Sequence, residues 1–147
     1  MFSLVADYNT YVFDAINCAL RYHFGTAFTL LRKPFKDDLL LLEMIYVKGY
    51  RFVPEFLNKP IKNFSIDKIT KEEKKKILRK CCKKINFFTG KRMYDLRYEK
   101  SSKESLEKIW NKTSHIITNA KDYATEDGNL NIIFATEDIV EENLVYF

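Results

Sequence analysis

Two histidines, three cysteines and one tryptophan are the scarce chemistry-bearing residues of this 147-residue chain, and one of the histidines keeps company that could assist it. The stretch from Ser101 to Thr136 holds His115, Trp110 and the densest mixture of Asn, Thr, Lys and carboxylates. Read as a helix at ~100° per residue, it gathers Leu106, Ile109, Trp110, Thr113, Ile116, Ile117 and Ala120 on an apolar face. Lys108, Asn111, Lys112, His115 and Asn119 then lie on the polar face. A histidine flanked at one-turn spacings by lysines and amides has the parts of a phosphate-directed acid–base site: the imidazole moves a proton and the ammonium groups stabilise developing negative charge. His115 and Lys108 are the candidate catalytic residues, with Asn111, Lys112 and Asn119 as candidate binding residues. The competing reading is an inert solvated face, because a Lys- and Asn-rich helix presents the same residues by composition alone.

A second constellation is purely electrostatic. Between Lys71 and Lys84 stand eight basic residues against Glu72 and Glu73, a local excess of six that is larger than the +5 of the whole chain. A helix this basic can follow a phosphate backbone and release its counterions, or touch anionic lipid; it can equally be a solvated lysine face. Lys76, Lys80 and Lys83 are its candidate binding residues. No aromatic residue is interleaved with these lysines in sequence, which argues against base stacking along this segment.

Other chemistries lack their signatures. There is no GxGxxG or GxxxxGK[ST] phosphate loop, no GxSxG elbow, and no HExxH, CxxC or EF-hand spacing, so nucleotide-fold enzymes, that class of hydrolase and a metal site or other cofactor are not expected. Cys18, Cys81 and Cys82 are odd in number and include an adjacent pair, which suits a reducing cytoplasm better than a disulfide framework. The longest apolar run, Leu39 to Leu42 resuming at Met44 to Val47, is far short of the ~20 residues needed to span a bilayer, so no membrane insertion is expected.

The elements that must position these residues read as helices. Gly (4) and Pro (3) are scarce and 46% of residues are hydrophobic, which indicates one all-α domain, a bundle of about four to five helices. Apolar recurrence from Val5 to Leu31 predicts one long first helix with His23 in mid-stripe. Pro34 is expected to end it and start another, apolar on every side through Val47 and therefore central. Glu43 is the single carboxylate in that run, so it needs a buried partner, with His23 or Arg32 the expected candidates. Gly49 to Ile69 reads as a loop with a helical turn at Pro54 to Leu57. Thr70-Lys-Glu-Glu73 is a capping box opening the basic helix, whose core face is Ile77, Leu78, Cys81 and Ile85. Phe87 to Lys100 reads as a loop, and Ser101-x-x-Glu104 as a second capping box. Asp127-Gly128 marks a turn before Asn129 to Phe134, the one short extended segment expected. Thr136 would cap a last helix, and the apolar ending Leu144 to Phe147 reads as a docking tail or the edge of a longer protein.

Long helices followed by a late helix with a polar-face histidine resemble the HEPN superfamily of helical RNA-directed and toxin-associated domains. The segment Lys108-Ile-Trp-Asn-Lys-Thr-Ser-His115 carries that resemblance, with Lys108 standing where the family's motif has Arg. The resemblance implies a helical domain that binds RNA or another anionic partner, dimers among its members, and ribonuclease activity centred on Lys108 and His115; many members are non-catalytic binding modules. The alternative from another class is a structural or protein-interaction module of a larger protein, including a homo-oligomer.

Overall fold

The computed structural model describes residues 2–58, 66–83, 88–115 and 124–129. These residues form an all-α bundle, and no strand occurs among them. Helix α1 spans Phe2–Leu20, α2 Phe24–Arg32, α3 Leu39–Lys48, α4 Phe52–Asn58, α5 Lys71–Cys82, α6 Gly90–Tyr98 and α7 Leu106–Ser114.

The single first helix expected from Val5 to Leu31 is two. Tyr22 adopts a left-handed φ of 61°, the Tyr22 N–H donates to Ala19 O at 2.8 Å and the His23 N–H to Cys18 O at 2.9 Å. Those two bonds are the Schellman closure of a helix C-terminus, with a tyrosine where glycine usually stands. No Gly, Asn or Pro announces the break, so apolar periodicity runs across it unmarked. His23 consequently lies exposed at the junction rather than inside the bundle.

Pro34, expected to separate two helices, is instead carried inside one continuous rod. A π-helical segment, Lys33–Asp38, joins α2 to α3, and the Leu39 N–H donates to Pro34 O five residues back. The wider turn accommodates a ring that would otherwise press on the preceding carbonyl. It also turns Lys36 and Asp38 inward, where both are buried. The rod ends at Gly49, whose φ of 60° suits a residue without Cβ.

The connection after α3 contains α4 in place of a single turn, with Pro54 tolerated in its first turn. Thr70 caps α5 as expected, its hydroxyl accepting from the Glu73 N–H at 3.2 Å. The supposed loop from Phe87 to Lys100 contains α6, capped by Thr89, whose hydroxyl accepts from the Arg92 N–H at 3.2 Å. The Ser101 capping box does not form; α7 begins four residues later after Ser105, and the Ser101 hydroxyl donates to Glu99 Oε1 at 3.1 Å. The Asp127-Gly128 turn is present, closed by the Asn129 N–H on Glu126 O at 3.0 Å. Most of the expected extended segment, the last helix with its apolar tail, and Ile85 lie outside the described residues.

Packing forms two apolar clusters. Ala19, Phe24, Ala27, Phe28, Leu106 and Trp110 join α1, α2 and α7. Leu40, Met44, Phe52 and Ile77 join α3, α4 and α5. The α2–α3 rod runs through both clusters, and α6 touches both, Leu96 packing on the first and Tyr98 on the second.

Candidate functional site

Of the eight basic residues expected to act as one surface, Lys84 lies outside the described residues and Arg79 bonds its own helix, its Nε donating to Lys75 O at 3.3 Å; the other six divide into two populations. One is spoken for by α6. Lys71 donates to Glu99 Oε2 at 2.6 Å and sits 5.5 Å above the Tyr94 ring, with Lys75 4.8 Å over the same ring and Lys74 4.8 Å over Tyr98. The aromatics missing from the basic segment are thus supplied across the helix interface, and the ammonium groups rest on their negative faces. The Glu99 carboxyl is held below the ordinary carboxylate value, chiefly by the Lys71 hydrogen bond, and Lys71 is raised by the same bond. Lys74, partly desolvated, is pushed down. Tyr94 is itself buried, so its ring is no platform for a base.

The other population faces water. Lys76, Lys80 and Lys83 are exposed and make no ion pair with any described residue. At ~100° per residue they share an arc of about 60°, and the rise from Lys76 to Lys83 is about 10 Å; Lys83 keeps helical dihedrals as the C-cap. Lys76 and Lys80 also line a cleft of 390 Å³ between α3 and α5, shared with Val47, Lys48, Glu72, Glu73 and Ile77. Lys48 Nζ stands 4.0 Å from Glu73 Oε1, so the carboxylates sit at the N-terminal end of the face and the cations toward its C-terminal end. That order complements the helix macrodipole, and it leaves the C-terminal half of α5 as a band of positive charge with no ion pair among the described residues.

The residues expected to form the acid–base site lie on and beyond α7. Trp110 and Leu106 are buried and Ile109 packs on the same cluster, as expected of the first part of the apolar face; Ile116, Ile117 and Ala120 lie outside the described residues. Lys108 is half-buried and Lys112 exposed. The Asn111 side-chain amide donates to Glu107 O at 2.6 Å, one turn back on its own helix. α7 ends at Ser114, and His115 is its C-cap with extended dihedrals of φ −135° and ψ 135°. The helical-face placement of His115 is therefore corrected: the histidine has left the α7 spiral before its side chain is projected. Asn119 lies outside the described residues. α5 packs on α3 and α6 while α7 packs on α2 and α6, so α6 is the neighbour that the two sets share.

Composition gave no sign of the charged network that ties these helices together. Arg97 of α6 is wholly buried and donates to Glu43 Oε1 at 2.7 Å and to the Tyr98 hydroxyl at 2.7 Å, which in turn donates to Lys36 O at 3.0 Å. Lys36 Nζ reaches Glu107 Oε1 at 3.0 Å with both side chains buried. The expected partner of Glu43 was right in kind and wrong in identity: Arg97, from a segment read as loop, takes the place given to His23 or Arg32. Burial raises the Glu43 carboxyl, against the opposing pull of Arg97, and raises the Tyr98 hydroxyl strongly. The Cys81 thiol, whose Sγ lies 3.8 Å from Glu43 O, is pushed up to about 11 by burial, so it is a poor nucleophile near neutral pH.

Among the described residues there is no cluster of three or more metal-ligating side chains, and no helix is long and apolar enough to cross a membrane. Compared with known proteins, the chain matches no family model, no curated protein and no solved structure.

Proposed function

We propose that this chain is a HEPN-like helical domain that binds RNA through the solvent face of α5. The observation that carries the reading is the division of the lysines: Lys76, Lys80 and Lys83 stand along one side of α5 with no ion pair to any described residue, while their neighbours are held by Tyr94, Tyr98 and Glu99. Cations without an ion pair among the described residues are the ones a polyanion can recruit without first breaking such a pair. Because the nearby tyrosines are covered by lysine, recognition runs through phosphate rather than through stacked bases. Three free thiols fit a reducing, cytoplasmic setting.

The test is fluorescence anisotropy of a labelled single-stranded RNA titrated between about 50 and 200 mM salt. Replacing Lys76, Lys80 and Lys83 by alanine should weaken binding and flatten the slope of log K against log salt by about 2, since each single-strand phosphate contact contributes ~0.7. Unchanged affinity and slope would refute the assignment. Ribonuclease activity is the catalytic form of this reading and rests on Lys108 and His115. It requires wild-type cleavage that His115→Ala abolishes while binding persists.

A further inference from the structure

Helix α1 is apolar on two sides. One side is used internally, with Ala15 and Ala19 buried and Cys18 packed against the Trp110 cluster. On the other, Phe2, Val5, Asn9, Phe13, Ile16 and Leu20 fall within roughly 80° of one another at ~100° per residue, a stripe along the whole helix with a single polar member. Its apolar members are open to solvent: Phe2 by 89%, Val5 by 40%, Phe13 by 66%, Ile16 by 40% and Leu20 by 69%. Isolated exposed apolar residues are ordinary, but a continuous stripe is a surface that gains free energy by being covered.

We propose that this stripe is a dimerisation surface, two copies of the chain pairing through antiparallel α1 helices. Charge narrows the occupant first. The only ionised side chains of α1 are Asp7 and Asp14, about 100° or more away from the stripe, and Asp7 is paired with Lys33. A helix lying on anionic lipid carries lysine and arginine on its polar face, and one lying on nucleic acid needs cations; α1 has neither. An uncharged apolar stripe fits another uncharged apolar stripe.

Spacing then selects the copy and its direction. Counted from Tyr11, the stripe lies at offsets of −9, −6, −2, +2, +5 and +9, a pattern nearly unchanged by reversal. A two-fold axis through that point sets Phe2 beside the partner's Leu20, Val5 beside the partner's Ile16 and Asn9 beside the partner's Phe13. That self-complementarity is what an isologous interface requires, and antiparallel helices also oppose their macrodipoles favourably. Five large apolar side chains at on the order of 100 Å² each offer about 500 Å² per protomer, or about 1,000 Å² for the pair, where specific interfaces begin. The dimer is accordingly of modest affinity and concentration-dependent. The proposal is independent of RNA binding by α5.

Sedimentation velocity of the full chain across the micromolar range tests it, with circular dichroism and thermal melting confirming that each variant remains folded. The wild type should shift from monomer to dimer as concentration rises, and Phe13→Glu and Leu20→Glu should each remain monomeric. A wild type that is monomeric throughout, or a dimer that survives both substitutions, would overturn the idea. The direction is read by crosslinking with the native thiols replaced by serine. Copies bearing Asn9→Cys should form a disulfide with copies bearing Phe13→Cys, whereas ready self-crosslinking of Phe2→Cys would exclude the antiparallel arrangement.

Discussion

Glu43 shows how far single residues can be read from sequence. A lone carboxylate inside an apolar helix must be paired, and it is, but the partner could not be named without α6. Arg97 sits in an Arg- and Tyr-rich segment whose composition resembles a surface loop, and nothing in its immediate sequence separates it from Arg92, which is exposed. The pairing is also incomplete, because Glu43 Oε2 and Arg97 Nε are buried without a hydrogen-bond partner, and this makes desolvation the leading influence on the carboxyl. A carboxyl whose pKa is raised by folding contributes stability that is fully present below its unfolded pKa and lost as pH rises through the folded one. Glu43→Gln carries no such proton. The stability of the wild type relative to Glu43→Gln should therefore grow as pH falls from neutral into the ordinary carboxylate range, measured by urea unfolding at successive pH values. A difference that shrinks on acidification would mean that attraction to Arg97, rather than burial, governs this group.

At the scale of elements, what was legible depended on whether a local signal agreed with the tertiary solution. Thr70 with Glu73 is a complete capping pattern and α5 starts there; Thr89 caps α6 equally well, but Arg92 stands where the pattern wants Glu or Gln, so the start is hidden. Ser101 with Glu104 supplies the pattern without the helix, because the chain turns again before Ser105. Tyr22 and Pro34 mislead in opposite senses, one breaking a periodic run and the other failing to break it. The closeness of α5 and α6 was also unreadable, although Gly90 makes it possible. A Cβ at Gly90 would lie 2.5 Å from the Arg79 backbone nitrogen, whereas one at Gly25 would meet nothing within 4 Å. Gly90→Ala must push the helices apart and should cost about 1–3 kcal/mol, as overpacking does. Gly25→Ala should leave stability within about 0.5 kcal/mol of wild type or raise it. Chemical denaturation of the two variants side by side gives the answer, and equal stability would remove the argument for close approach. Because Lys71, Lys74 and Lys75 rest on α6, Gly90→Ala should also loosen the hold of α6 on these lysines.

Across the whole molecule, the two apolar clusters are joined by charge. The π-helical segment turns Lys36 toward Glu107 on α7, and Arg97 reaches Glu43 on α3 from the helix that touches both clusters. Sequence periodicity foretold an all-α bundle, since burial patterns repeat locally, but placed a break at Pro34 where the α2–α3 rod is continuous. It could not foretell this bridge, because Lys36 and Glu107 are 71 residues apart and each alone looks like a surface charge. Buried pairs of this kind recover little net stability, since removing two charges from water costs nearly what their attraction returns. Glu107 Oε2 is buried without a partner as well, which weakens the return further. Lys36→Met alone should therefore destabilise the fold by about 3–5 kcal/mol by stranding a buried carboxylate, and Glu107→Leu alone should do so by stranding a buried ammonium. Together they should restore stability to wild type or exceed it by about 1–4 kcal/mol. Urea unfolding of both single variants and the double variant measures the coupling directly. If the double variant is as unstable as either single one, the pair is a source of stability in its own right; if it recovers, what the bridge supplies is the relative placement of α7 and the α2–α3 rod rather than free energy.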